Sequence, residues 1–205
     1  EGTTPRGIGV GYHGGVNLAF SADNMSLDLL WTGNFMDGSK HWNGRGQGNQ
    51  PPAGQNVVKV SKGPSFAILK SQTTNWPDKF QDEMVGRFHG YKLNSRQEPT
   101  FFFTIGKIQI EDMPQAIIGG NKFGLQRAIT ITVPDSAPSN VHFLAASGIA
   151  VKDLGGGKFD LAGQAVLEVG KGAANRPYVR NNNELLIPLR LKRGENILNL
   201  RYTWN

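Results

Sequence analysis

Residues 16–31 read VNLAFSADNMSLDLLW, and this stretch decides the fold class. Apolar side chains alternate with others up to Phe20, the turn residues Ser-Ala-Asp-Asn follow, and the alternation resumes from Met25 to Trp31. Period two on both sides of a short turn is typical of a β-hairpin, because successive side chains of a strand point to opposite faces. The stretch therefore predicts two antiparallel strands, with Trp31 in the core.

The same pattern recurs along the rest of the chain. Turn residues such as Asn94-Ser95-Arg96-Gln97 and Gly155-Gly156-Gly157 separate most of the apolar runs. The further candidate strands are Phe66–Leu69, Val85–Leu93, Thr100–Ile110, Arg127–Val133, Val141–Ala146, Ile149–Leu154, Lys158–Leu161, Ala165–Val169, Glu184–Leu191 and Asn196–Trp204. We predict an all-β fold, a two-sheet antiparallel β-sandwich with long irregular loops, in which residues 1–205 form one domain. A barrel is the alternative architecture.

Helices have little support in the sequence. No long window keeps a helical period, and Asp78–Met84 is too short for more than a turn or two of helix. No apolar run is long enough to span a bilayer, and the start Glu1–Pro5 lacks the basic and apolar regions of a signal peptide.

The composition excludes several classes of function. The chain has no cysteine, which excludes disulfides, thiolate metal sites, a catalytic cysteine and covalently attached haem. The formal net charge is +6, but the 22 Lys and Arg residues are scattered, and the tightest group, Arg190–Arg193, alternates with an apolar residue as a strand end does. We therefore expect a solvated cationic surface or an acidic protein partner rather than nucleic acid.

One loop stands out as a candidate site. Residues 37–52 read DGSKHWNGRGQGNQPP and combine His41, Trp42, Arg45 and Gln50 with glycines, where no regular strand or helix can run. Dense polar loops are where function usually lies. Two long irregular segments, 35–56 and 71–84, are further candidates for contact with a partner.

Exposed aromatic residues add to the candidate set. Tyr12 and His13 precede Gly14-Gly15, where a turn would expose them, and Trp76 precedes Pro77 in a polar loop. Loop tryptophans stack on sugar rings or fill pockets on a partner protein, and the alternative is an indole that folds back onto its own domain. The predicted partner- or ligand-binding residues are Tyr12, His13, His41, Trp42, Arg45, Gln50 and Trp76.

The sequence offers no catalytic or metal-binding constellation. The histidines have neither His-x-x-x-His nor His-x-His spacing, so we predict no metal site. The carboxylates of Glu111-Asp112, like those of Asp82-Glu83, are adjacent and would point to opposite faces of a strand, so neither pair is expected to flank one glycosidic bond. A Gly-x-Ser-x-Gly elbow is absent. We predict no catalytic residues, no cofactor and no enzyme activity.

The glycine-rich run Gly7–Gly11 needs its own interpretation. Its spacing fails the dinucleotide-binding fingerprint, and no strand precedes it and no helix follows it. Glycine at these positions indicates either close backbone packing or positive φ angles at a sheet edge.

Part of the chain resembles a known bacterial domain. The resemblance lies in the segments Pro5–Tyr12, Val16–Phe20, Leu30–Gly33 with Phe35 and Asp37, His41–Gly46, Gln50–Pro52, Arg87–Leu93 and Pro99–Phe101. They are similar to a β-rich domain of large envelope proteins in planctomycetes and related bacteria. There it accompanies c-type cytochrome and sugar-dehydrogenase-like propeller modules. The resemblance implies a periplasmic or extracellular location and redox neighbours, and it carries over no catalytic residues.

Two functions are therefore expected. The first is a non-catalytic structural or docking subunit on the periplasmic face of a membrane electron-transfer assembly, cytochrome-containing or photosynthetic. It would be membrane-associated through its protein partners rather than by a span of its own. The second is a carbohydrate-binding module that uses the loop aromatics Tyr12, Trp42 and Trp76.

Overall fold

The chain forms three antiparallel sheets in a computed structural model that describes residues 6–39, 50–119 and 122–204. The first small sheet has the order β1-β2-β3-β4. Its strands are β1 (Gly7–Gly11), β2 (Val16–Ser21), β3 (Ser26–Thr32) and β4 (Gln55–Lys59). The second small sheet has the order β14-β15-β10-β5. Its strands are β5 (Phe66–Ile68), β10 (Val141–Ser147), β14 (Tyr178–Arg180) and β15 (Glu184–Pro188).

The large sheet has eight strands in the order β11-β12-β13-β16-β9-β8-β7-β6. They are β6 (Gly86–Leu93), β7 (Pro99–Ile105), β8 (Ile108–Gly119), β9 (Lys122–Val133), β11 (Val151–Gly155), β12 (Lys158–Leu161), β13 (Ala165–Val169) and β16 (Gly194–Trp204). Within the weak helix candidate Asp78–Met84, the structure has a 3-10 turn over Asp82–Met84.

The two small sheets share one layer, which packs on the large sheet. Val60 joins them, because its N–H donates to Asp28 O in β3 at 2.8 Å and its carbonyl accepts from Ser147 N in β10 at 2.9 Å. One apolar core contains buried residues of all three sheets, and Phe20 of β2 stacks on Phe101 of β7 with ring centroids 4.1 Å apart. The predicted all-β sandwich is confirmed.

The hairpin in residues 16–31 forms as predicted, with Val16 paired to Thr32 and Ser21 to Ser26. The prediction of one strand over Thr100–Ile110 is wrong. Gly106, at φ +58°, turns the chain between β7 and β8. A Cβ at this position would lie 2.6 Å from the Glu83 carbonyl oxygen, so the turn requires glycine. β1, β4 and β14 were not predicted as strands.

The glycines of β1 serve close packing. A Cβ on Gly9 would lie 2.9 Å from both the Phe35 ring and the Met36 sulfur, and one on Gly11 would lie 3.2 Å from the Phe35 ring. Of the two interpretations of the run Gly7–Gly11, close packing is therefore confirmed.

The irregular segments cover the outer faces of the small sheets. Trp31 on the outer face of β3 is fully buried with Ala19 and Leu29, and Met36 packs against this cluster. On the second small sheet, Trp76 packs on an outer cluster formed by Ala67, Leu69, Leu144 and Leu186. The described parts of both segments therefore contribute to folding.

Candidate functional site at the hairpin end

Turns that are distant in the sequence meet at one end of the sandwich, which we call the hairpin end. It comprises the turn at residues 12–15, the turn at residues 94–98 and the outer half of the β8–β9 hairpin. The β7–β8 pairing stops at Phe101 and Asp112, whereas β8 and β9 remain paired as far as Gly119 and Lys122. The β8–β9 hairpin therefore extends beyond its neighbour β7 at this end.

Tyr12 connects the first small sheet to the large sheet here. Its ring is buried, and its hydroxyl donates to the carbonyl of Pro114 at 2.8 Å, beyond the last β7–β8 pair. Burial raises the pKa of Tyr12, and the nearby Asp112 and Glu98 carboxylates raise it further. Tyr12 therefore remains a neutral donor, with its hydroxyl already engaged within the protein.

A polar cleft of about 710 Å³ opens beside Tyr12. Its walls are formed by Gly11, Tyr12, His13, Arg96, Gln97, Glu98, Ala116 and Ile118. His13, one of the predicted binding residues, lies exposed in this cleft. The volume falls within the usual range for small-ligand sites, about 300–1,000 Å³.

The turn at residues 94–98 holds its polar groups in place by local hydrogen bonds. Asn94 Oδ1 accepts from the backbone N–H groups of Arg96 at 2.9 Å and Glu98 at 3.0 Å. Glu98 Oε2 accepts from Asn94 Nδ2 at 2.9 Å and from Gln115 Nε2 at 3.3 Å. Among the described residues, no hydrogen bond or ion pair engages Glu98 Oε1, the Arg96 guanidinium or the His13 ring. All three residues line the cleft.

A buried ion pair lies behind the cleft. Arg127 Nε donates to both carboxylate oxygens of Asp112, at 2.8 and 2.9 Å, and both residues are almost completely buried. Burial alone would lower the pKa of Arg127, but the Asp112 carboxylate raises it overall. Because Glu111 is exposed and Asp112 is buried, the prediction that their side chains take opposite faces is confirmed.

Apolar side chains are exposed at the same end. Ile118 of β8 and Phe123 of β9 are cross-strand partners, with 50% and 39% of their surfaces exposed. Tyr91 and Leu93, at the end of β6, are exposed to a similar degree. Ile118 lies over Gly14, where a Cβ would come within 2.5 Å of the Ile118 methyl group.

The candidate loop at residues 37–52 leaves from a defined base. Met36 forms a β-bridge with Pro52, and Ala53 N–H donates to Phe35 O at 3.2 Å. The indole of Trp31 donates to Phe35 O at 2.8 Å. His41, Trp42 and Arg45 lie outside the described residues. Gln50 is half-buried, and both its amide atoms are buried without a hydrogen-bond partner in the described part of the chain.

Trp76 lies away from this site and folds back onto the domain. Its indole N–H donates to Pro64 O at 2.9 Å, and its ring packs on the second small sheet. The segment around it is further held by Arg180, which donates to the carbonyls of Gln72 and Thr74. The structure therefore places Trp76 in a packing role rather than beside Tyr12 and His13.

Sequence reasoning missed Arg96, Glu98 and the apolar pair Ile118–Phe123. The sequence 94–97 predicted a turn, but only the tertiary structure brings this turn opposite His13. A partial signal for the hairpin was present, since Ile108, Ile110, Ala116 and Ile118 are apolar with period two, although the charged Asp112 stands among them. Pro114 interrupts that pattern, because proline is uncommon inside sheets.

Other features are less developed. A smaller cleft of about 250 Å³ lies at the opposite end, with Glu83, Lys107 and Asp135 in its walls. Within residues 6–39, 50–119 and 122–204, no cluster of three or more His, Asp or Glu side chains could hold a metal ion. The same residues include no helix that is long and apolar enough to cross a membrane.

Comparison with known proteins leaves the chain without an assigned family. Neither the protein-family models, nor the curated proteins, nor the solved structures contain a match. The fold and the hairpin end define an all-β sandwich with a polar cleft and an exposed apolar pair.

Proposed function

We propose that this domain is a non-catalytic docking subunit on the periplasmic face of a bacterial membrane electron-transfer assembly, cytochrome-containing or photosynthetic. The observation that carries the docking role is the exposed pair Ile118–Phe123 on a hairpin that extends past β7. Apolar side chains grouped on a projecting surface are typical of protein–protein contacts. The resemblance of the first half of the chain to a cytochrome-associated domain supports redox proteins as the partners.

Charge supports the same class of partner. The formal net charge of +6 favours an acidic protein, because opposite net charges accelerate association and favour correctly matched partners. The apolar pair would supply the buried centre of the contact, and the exposed Arg96 and His13 would lie at its rim.

The hairpin is a better docking surface than the described parts of the irregular segments. Those parts cover the outer faces of the small sheets, and Trp76 and Trp31 make intramolecular hydrogen bonds there. The hairpin instead presents two exposed apolar side chains, Ile118 and Phe123, as a cross-strand pair.

A sugar-stacking platform of Tyr12, Trp42 and Trp76 is the alternative function. Stacking on a sugar ring needs exposed aromatic faces. Tyr12 is buried and its hydroxyl is engaged, and Trp76 is half-buried against the second small sheet. Protein docking is therefore better supported than such a platform.

A pull-down from native membranes in mild detergent tests the docking function. The tagged chain serves as bait, and the captured proteins are identified by mass spectrometry and stained for haem. A bait with Ile118→Ser and Phe123→Ser is compared with a control bait carrying Leu154→Ser and Ile197→Ser. The control removes two side chains of similar exposure elsewhere, since Leu154 is 50% and Ile197 is 47% exposed.

We expect haem-containing or other electron-transfer subunits in a fixed ratio to the bait. The hairpin variant should lose at least nine-tenths of this capture, and the control variant should retain it. A bait that elutes alone, or capture that is unaffected by the hairpin substitutions, would overturn the docking function.

A further inference from the structure

We infer that the polar cleft beside Tyr12 is a binding site for an acidic oligosaccharide, with a uronate unit as the recognised group. This inference does not depend on the docking function, because it concerns side chains in the cleft that a small ligand reaches in the isolated chain. Ile118 belongs to the docking pair and also lines the cleft.

The polar groups of the cleft match a sugar that carries a carboxylate. The Arg96 guanidinium is a planar donor that pairs with a carboxylate through two parallel hydrogen bonds. His13 supplies a further ring nitrogen in the lining of the cleft. Neither side chain is engaged by another described residue.

Glu98 supplies the complementary group for hydroxyls. Its Oε2 is fixed by the amides of Asn94 and Gln115, which orients Oε1 without occupying it. A carboxylate held in this way accepts hydrogen bonds from ligand hydroxyls and repels a second carboxylate. We therefore expect the ligand's carboxylate against Arg96 and its hydroxyls against Glu98.

The apolar wall and the size of the cleft fit the same ligand class. Ala116 and Ile118 also line the cleft and offer an apolar surface for the C–H face of a sugar ring. Because binding pockets combine apolar surface with a few placed polar groups, this arrangement is typical of a small-ligand site. The net charge of +6 also raises the local concentration of an anionic polymer.

The smaller cleft at the opposite end has the wrong charge for this ligand. Two carboxylates, those of Glu83 and Asp135, accompany a single lysine there. Of these two clefts, the one at the hairpin end therefore has the better charge for an anionic ligand.

Isothermal titration calorimetry of the isolated chain tests the inference. The probes are oligogalacturonate and alginate oligosaccharides, with fully methyl-esterified oligogalacturonate as the matched neutral ligand. We expect at least one acidic probe to bind, and esterification to weaken that binding at least tenfold. An Asp/Glu hexapeptide of similar charge serves as a second control.

Three variants locate the binding. Arg96→Gln should weaken the acidic probe at least tenfold, and Glu98→Gln should weaken it several-fold. Arg193→Gln, outside the cleft, should leave it unchanged. Thermal melts confirm that each variant is folded.

The inference would be overturned by any of three results. These are failure of both acidic probes to bind at millimolar concentration, binding that Arg96→Gln and Glu98→Gln leave intact, and binding of the acidic hexapeptide as tightly as of the sugars. The last result would assign the cleft to a protein partner. None of these results bears on the outcome of the pull-down, so the docking function and the oligosaccharide site can each be overturned without the other.

Discussion

Asp112 and Arg127 face each other across β8 and β9 as a fully buried ion pair. Both carboxylate oxygens of Asp112 accept from the guanidinium, and Arg127 also lies over the ring of Phe143, 5.5 Å from its centroid. The pair therefore connects the large sheet to the second small sheet in the buried interior. Buried charges in such a place are tolerated only while they remain paired.

Removal of one partner should be strongly destabilising. Asp112→Ala leaves the Arg127 charge buried and unpaired, and we expect a loss of about 3–5 kcal/mol in the free energy of unfolding. The double variant Asp112→Leu with Arg127→Met should recover most of that loss, because no charge remains in the core. Urea denaturation measures both variants.

Glu111→Ala is the matched control for this prediction, since Glu111 is the exposed neighbour on the opposite face of β8. It should change stability by less than about 0.5 kcal/mol. Equal losses for the Glu111 and Asp112 variants would contradict the role assigned to the pair.

Asp28 should make stability depend on pH. Burial raises its pKa from 3.8 to about 6, although the Ser26 hydroxyl and Lys59 act in the opposite direction. Between pH 3.8 and about 6, Asp28 is therefore protonated in the folded protein and ionised in the unfolded chain. This contribution to stability is fully present below pH 3.8 and is lost as the pH rises through about 6.

Asp28→Asn should remove this dependence. The asparagine keeps an oxygen for the Ser26 hydroxyl, which donates to Asp28 at 3.0 Å, but it carries no charge to desolvate. We expect a gain on the order of 1–3 kcal/mol at pH 7.5 and little change at pH 4. Urea unfolding from pH 4 to 8 checks this, with Asp23→Asn as a surface control. A wild-type loss of stability over this range that Asp28→Asn does not reduce would contradict the assignment.

The sequence predicts the sandwich wherever period two is strong and turns are marked. The hairpin around residues 21–25, the β10 strand and the strands β12 and β13 follow from local pattern alone. β1 escapes detection because its glycines are required by the packing of Phe35 and Met36, which are distant in sequence. The turn at Gly106 escapes detection because apolar residues flank it on both sides.

The candidate site is predicted less completely, for a related reason. Gly14-Gly15 marks a turn and so indicates that His13 is exposed, which the structure confirms. The expected exposure of Tyr12 is wrong. Its ring is buried, and its hydroxyl donates to the Pro114 carbonyl. The roles of Arg96 and Glu98 depend on which turns meet at one end, and local pattern carries no such information.

Trp76 should be important for stability and unimportant for binding. Trp76→Ala removes a large side chain from the cluster on the second small sheet and leaves Pro64 O without the indole donor. Truncations of this kind cost about 3–5 kcal/mol when the ring is fully buried, and the half-exposed Trp76 should lose about 2–3 kcal/mol. Urea denaturation measures the loss.

Trp76→Phe is the matched variant, because it keeps most of the packing and loses only the hydrogen bond, at about 1 kcal/mol. Both variants should bind the acidic oligosaccharide and the protein partner like wild type under conditions where they are folded. If a folded Trp76 variant loses binding to the oligosaccharide or to the protein partner, Trp76 is part of a binding site and the prediction is wrong.

Gly54 should be essential for the base of the candidate loop. A Cβ there would lie 2.1 Å from Thr32 O and 2.7 Å from Asn34 O, and backbone atoms cannot yield as flexible side chains do. Gly54→Ala must therefore displace the 34–36 strip, and with it the carbonyls that accept from the Trp31 indole. We expect a loss of about 2–4 kcal/mol in the free energy of unfolding, with faster proteolysis between residues 37 and 52. Gly38→Ala is the control from the same loop, because its Cβ would meet nothing within 4 Å. If Gly54→Ala and Gly38→Ala behave alike in both assays, the loop is not anchored through this contact.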